Sequence, residues 1–184
     1  MSDAATPLSI RTVAVIGAGT AGRGFALACA AAGFNVVLED VMPSNLRRAE
    51  AEFADLRAAA GRLELALTVE DAVRAADVAV DFVPDELESK LEIFSLLDRM
   101  APPKTILMTP SEALSVTDLA SCVYRPDRCV ALRGGLAGTG SVRVLHPAGV
   151  AEGTLSAVGE FLTALGMKAR MEADPDVPVL MKNQ

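Results

Sequence analysis

The sequence predicts one α/β domain in which helices wind over both faces of a mainly parallel sheet. Three observations predict it. Short apolar runs alternate with longer amphipathic stretches along almost the whole chain, the pattern of successive βαβ units. Several of the runs are apolar at consecutive positions, as strands covered on both faces must be. The turn after the first run is rich in glycine and opens directly into a helix of small residues. At 184 residues the chain is long enough for one substantial core and short for two. We read a single domain over residues 11–173, between an N-terminal tail at 1–10 and an irregular C-terminal tail at 174–184 that holds Pro175 and Pro178.

The elements follow in order. Residues 12–16, Thr-Val-Ala-Val-Ile, form the first strand, and 20–32 an alanine-rich helix that Gly33 sets off from a second strand at 35–39. Pro43 suits a first helical turn, where its missing N–H has no bond to lose, and the charged amphipathic pattern after it predicts a helix through about residue 60. A weaker strand at 63–68 leads to a short helix at 70–75, and 78–83 is another buried strand. After Pro84, Leu87, Leu91, Phe94 and Leu97 recur at helical spacing until Met100. A strand at 105–108, a helix at 115–122 and a strand at 128–132 come next. A glycine-rich stretch at 134–140 precedes a short strand at 142–145, a helix at 154–165 ended by Gly166, and a last strand at 168–171.

Composition excludes several function classes. The most apolar stretch, 25–38, is broken by Gly33 and Asn35 and falls short of the roughly 18 residues that span a bilayer. Residues 1–8 lack the basic and apolar regions of a secretory signal. A net charge of −7 argues against nucleic acid or an anionic membrane surface as partner, since both need clustered cations. Cys29, Cys122 and Cys129 have neither metal-ligand nor C-x-x-C spacing. A cytoplasmic protein with reduced thiols and no metal is expected.

The glycine turn carries the chemistry. Gly17-Ala18-Gly19-Thr20-Ala21-Gly22 lies between the first strand and first helix, with Asp40 at the end of the second strand. In that context each glycine has a separate task. Gly17 makes the tight turn, Gly19 lets a pyrophosphate approach the backbone, and Gly22 lets the helix pack on the strand. Free N–H groups and the helix dipole then meet the phosphates. Asp40 is placed to accept bonds from both ribose hydroxyls and to repel a 2′-phosphate, so the Rossmann-type site favours NAD over NADP. Glu39 alternates to the opposite face and is a weaker candidate. Arg47 and Arg48 could serve a 2′-phosphate but read as a solvated helix face, and Arg23 reads either as a pyrophosphate contact or as a surface residue.

From Gly17 to Asp40 the sequence resembles, without a gap, the opening of the 3-hydroxyacyl-CoA dehydrogenase NAD-binding domain. The resemblance continues through Asp81-Phe82-Val83-Pro84-Asp85, Glu86-Leu87-Glu88-Ser89-Lys90, Leu114-Ser115-Val116-Thr117-Asp118 and Arg125-Pro126-Asp127-Arg128, to about Pro175. It implies that Val83 and Pro84 belong to the cofactor site, that Asp85 stands where the family carries a glutamate near the nicotinamide ribose, and that Lys90 is a cofactor-side lysine. The departures matter as much. Where the family carries an Asn-Thr-Ser-Ser stretch, this chain has Pro110-Ser111-Glu112-Ala113, and Arg133-Gly134-Gly135-Leu136-Ala137 replaces a run opened by the family's catalytic histidine. The glutamate that orients that histidine would fall near Leu145, and the only histidine, His146, lies outside the matching position. The family's helical second domain would begin about where this sequence stops.

Three readings follow. The chain binds NAD(H) without the usual dehydrogenase activity; or it is an oxidoreductase with altered chemistry, in which Arg133 or Glu112 engages a small anionic substrate; or it is an interaction subunit completed by a partner chain. The face that the second domain covers in the family is expected to pair two copies into a homodimer.

Overall fold

The computed structural model describes residues 8–56, 60–136 and 140–175. The strands are β1 Thr12–Ile16, β2 Asn35–Glu39, β3 Arg62–Ala66, β4 Val78–Asp81, β5 Ile106–Pro110, β6 Cys129–Arg133, β7 Ser141–His146 and β8 Lys168–Ala173. They form one sheet in the order β3-β2-β1-β4-β5-β6-β7-β8. Every neighbouring pair is parallel except β6 and β7. The helices are α1 Thr20–Ala31, α2 Pro43–Ala54, α3 Val69–Val73, α4 Leu87–Met100, α5 Val116–Ala120 and α6 Glu152–Ala164. The expected doubly wound α/β domain with a mainly parallel sheet is what forms.

Consecutive apolar residues on each strand feed two cores, one on either face. Val13 and Val15 of β1 pack with Phe25 of α1, Leu46 of α2 and Phe161 of α6. Ala14 and Ile16 pack with Val73 of α3, Phe94 of α4 and Leu119 of α5. Cys29 is wholly buried among the first group, and burial pushes its thiol well above the ordinary cysteine range. Among the described residues no helix is long and apolar enough to cross a membrane.

Several boundaries move for local reasons. The second helix stops at Ala54 rather than near residue 60, because the chain must return at Gly61, whose N–H donates to Ala30 O at 2.9 Å. A Cβ at Gly61 would overlap the Phe34 carbonyl oxygen. The third strand ends at Ala66, since Thr68 caps α3 by accepting from the Asp71 amide at 3.2 Å. β4 ends at Asp81, two residues early, and α5 covers only five residues. The short strand expected at 142–145 extends to Ser141–His146 and runs against β6. Part of the glycine-rich stretch, 137–139, lies outside the described residues, as do 1–7, 57–59 and 176–184 of the expected tails and helix end.

The amino-terminal end of β1 is held by a carboxylate that no pattern along the chain singles out. Asp77 Oδ2 accepts from the amides of Arg11 and Thr12, both at 2.9 Å, while Lys104 Nζ donates to Oδ1 at 2.6 Å. Burial alone would raise its pKa, but Lys104 and the two amides outweigh it and hold the carboxyl below the usual aspartate range. The folded protein thus binds this proton more weakly than the unfolded chain. Its contribution is present above about pH 4 and lost as pH falls through the lower folded value. Asp77→Asn is expected to lower the unfolding midpoint at pH 7 and to flatten the acid limb, read by thermal melts between pH 3 and 7.

Candidate dinucleotide site

The turn after β1 has the geometry that a pyrophosphate needs. Gly17 sits at φ +98°, a left-handed conformation that disfavours side chains, and its N–H donates to Glu39 O at 2.9 Å. A Cβ at Gly22 would overlap the Gly17 carbonyl oxygen, so glycine alone permits this approach of helix to turn. At Gly19 a Cβ would meet nothing within 4 Å, leaving open space before α1. No side chain caps that helix and no acidic residue stands in its first turn. Backbone donors and the positive end of the dipole are therefore offered to an anion. Gly22→Ala is expected to force the turn apart, costing roughly 1–3 kcal/mol of stability and abolishing cofactor binding in a calorimetric titration.

Arg23 is not a surface residue. It is 8% exposed. Its Nη1 donates to Ala18 O at 3.2 Å and its Nε pairs with Glu52 of α2 at 3.0 Å. It ties the glycine turn to α2 from within.

Asp40 stands beside the turn at the end of β2. Its Oδ2 accepts from the Ala18 amide at 2.8 Å and from Asn45 Nδ2 at 3.1 Å, and Oδ1 accepts from the Met42 amide at 2.7 Å. Burial pushes its pKa up, yet these three donors together hold it below the aspartate range. The carboxylate is anionic at neutral pH and locked to the backbone that would carry the phosphates. Glu39 points to the other face and is 5% exposed. Burial and the neighbouring Asp40 raise its pKa against the Gly17 amide. Arg47 and Arg48 are exposed, as a solvated helix face requires.

The walls beyond Asp40 are apolar. Val41, Met42 and Leu67 are exposed by 77%, 54% and 58%, a cluster that periodicity does not reveal because it lies on loops. Across β1, two strand spacings or roughly 10 Å away, a groove of about 290 Å³ is lined by Val83, Pro84, Ser89, Glu92, Ile93 and Leu96.

Val83 and Pro84 follow β4, and Asp85 is exposed, its Oδ2 accepting from the Glu112 amide at 3.0 Å. Lys90 is not on a solvated helix face. It is 1% exposed, with Nζ 2.7 Å from Asp81 Oδ1 and donating to Pro110 O at 3.0 Å. Burial pushes the Asp81 carboxyl up, against the pull of the Lys90 ammonium, Thr109 and the Val83 amide. This buried pair fastens β4, α4 and the end of β5 beneath the site.

Glu112 and Arg133 meet at the next strand end. Glu112 Oε1 accepts from the Gly134 amide at 3.1 Å. Arg133 Nε donates to Ser111 O at 3.2 Å and Nη2 to Leu114 O at 2.7 Å. Both side chains bind the loops together. Because β7 runs against β6 with Ala131 level with Leu145, His146 lies about three residues, roughly 10 Å, from Arg133 along the ladder.

Comparison with known proteins agrees with this geometry. The sequence pattern described as "3-hydroxyacyl-CoA dehydrogenase, NAD binding domain" matches residues 12–133. A probable 3-hydroxybutyryl-CoA dehydrogenase of Bacillus subtilis is 30% identical over 140 residues, covering 68% of this chain and 48% of that protein. The human mitochondrial hydroxyacyl-coenzyme A dehydrogenase is 32% identical over 151 residues, covering 71% and 48%. The chain thus spans about half the length of these relatives. In structure, an (S)-3-hydroxybutyryl-CoA dehydrogenase of Ralstonia eutropha superposes with a TM-score of 0.81 over 95% of this chain and 68% of that one, at 23% identity. A turn that only glycine can make, a locked carboxylate at the end of β2 and this sequence match lead to one conclusion: the chain belongs to the 3-hydroxyacyl-CoA dehydrogenase family, and what it holds of that family is the NAD-binding domain.

Proposed function

We propose that this chain binds NAD(H) without carrying out the 3-hydroxyacyl-CoA oxidation for which its relatives are named. The cofactor half of the reading rests on Gly17–Gly22 and Asp40, with Val83, Pro84 and Asp85 beside the nicotinamide ribose and Lys90 supporting them from below. When bound, the nicotinamide ring supplies the hydride chemistry. The observation that carries the second half is Arg133. It ends β6 where the resemblance places a histidine, and its guanidinium is already given to two carbonyls. A guanidinium has no acceptor and stays protonated. It can hold an anion but cannot take a proton from an alcohol.

The cofactor assignment is tested by calorimetry with Asp40→Ala. Losing a charged acceptor costs roughly 1.5–3 kcal/mol, so NAD(H) affinity is expected to fall by about tenfold or more while NADP(H) affinity falls less. No binding of NAD(H) to the wild-type protein at millimolar concentration would overturn the assignment.

We further place the chain in the cytoplasm as a homodimer. Tyr124, 98% exposed, and Met100, 39% exposed at the nearby end of α4, support a surface that meets a partner. Light scattering at tens of micromolar is expected to give twice the chain mass, and a monomer mass there would count against it.

A further inference from the structure

Three arginines stand side by side across the far end of the sheet. Arg133 of β6 is directly opposite Arg143 of β7, and Arg143 is level with Arg170 of β8. Neighbouring strands lie about 4.8 Å apart, so the row spans roughly 10 Å. All three point to the face on which Ala131 and Leu145 are buried, since they alternate in step with those residues. α5 covers Leu145 lower down, but above it the row is open. Arg143 is 51% exposed and Arg170 80% exposed, and Lys168 is exposed on the same face, level with Ser141.

Like charges directly opposite destabilise a sheet, and a chain with 17 basic and 24 acidic residues does not produce such a row by bulk composition. The carboxylate set among them is Glu172. Arg143 grips it with Nε at 3.0 Å and Nη2 at 2.7 Å, and Arg170 Nε lies 3.3 Å away. Glu112 adds a second negative charge in reach of Arg143. Four cations therefore face two carboxylates. Arg133 spends Nε and Nη2 on neutral carbonyls, and its charge acts on Glu172 together with those of Arg143 and Arg170. The fork of Arg143 on Glu172 is the geometry in which arginine binds a carboxylate or phosphate. The chain's own side chain thus occupies the place an external oxyanion would take.

We propose that the Arg133–Arg143–Arg170 row seats the anionic end of a small substrate, a carboxylate or phosphate. The reacting end rests on the NAD reading above, because Arg133 closes β6 at the edge where the nicotinamide half would lie. The oxyanion displaces Glu172 from both Arg143 and Arg170, which tolerates short acids and phosphate esters and gives no purchase to a neutral ligand.

Calorimetric titration with succinate and, separately, inorganic phosphate distinguishes the two sources, each with and without saturating NADH. Saturable binding of at least one anion is expected. Arg143→Gln and Arg170→Gln are each expected to weaken it about tenfold. Glu172→Gln, by removing the internal competitor, is expected to tighten it several-fold. NADH affinity should not change in any of the three, and unchanged thermal midpoints for Arg170→Gln would show that the fold is intact. The proposal is overturned if neither anion binds up to about 10 mM, if the arginine variants bind as the wild type does, or if Glu172→Gln weakens binding. NADH binding without anion binding removes this inference alone, whereas anion binding without NADH binding leaves the row standing and removes the cofactor reading.

Discussion

Mixed with NAD and a series of short- and long-chain 3-hydroxyacyl-CoAs, the protein is expected to form NADH at least a hundredfold more slowly than the roughly 1–10³ per second of ordinary enzymes. Hydride can leave a secondary alcohol only as a base takes the hydroxyl proton. A positioned histidine contributes on the order of 10²–10⁴ in rate, and at the end of β6 there is instead an arginine tied to Ser111 and Leu114. His146 cannot substitute, being roughly 10 Å down an antiparallel strand. Glu112 is the carboxylate that the sequence places to compete, and it is spent as acceptor for the Gly134 amide. NADH absorbance reads the result directly. Turnover at ordinary enzyme rates would show that another base has taken over, and loss of that turnover in Glu112→Gln would identify it.

Lys90→Met is expected to destabilise the fold by about 3–5 kcal/mol, a large share of the 5–15 kcal/mol that holds a domain together. The substitution leaves Asp81, which has no exposed surface, as an unpaired buried charge. It also releases the Pro110 carbonyl from Nζ. Adding Asp81→Asn to Lys90→Met removes the orphaned charge and is expected to restore most of the loss. Urea unfolding of the two variants makes the comparison, and equal midpoints for Lys90→Met and wild type would refute the account of this pair.

The sheet and the glycine turn were legible because both rest on local rules. Consecutive valines and alanines in β1 and β4 mean burial on both faces, and Gly22 announces a contact that no Cβ survives. Lys90 was legible in position but not in direction. Helical spacing puts it one turn into α4, and nothing along the chain says that Asp81, nine residues earlier, is waiting under it. Arg23 was opaque for the same reason, since Glu52 reaches it from another helix. The arginine row is a matter of register alone. Arg133, Arg143 and Arg170 are far apart in sequence and meet only because β7 runs against β6 and β8 runs parallel to β7.

The sheet's two outer strands also bear on how copies of this protein can meet. β3 presents Arg62 and Glu64 to solvent, and β8 presents Lys168 and Arg170. An unpaired strand edge invites another chain to add hydrogen bonds to it, and charge at such an edge discourages the attempt. Two molecules are therefore kept from joining into one continuous sheet, and association is steered to loops and helices. The same charges act as gatekeepers against fibrous growth. Replacing Lys168 and Arg170 together by valine would give β8 a run of apolar, β-branched character with its backbone bare, and turbidity on concentration would follow.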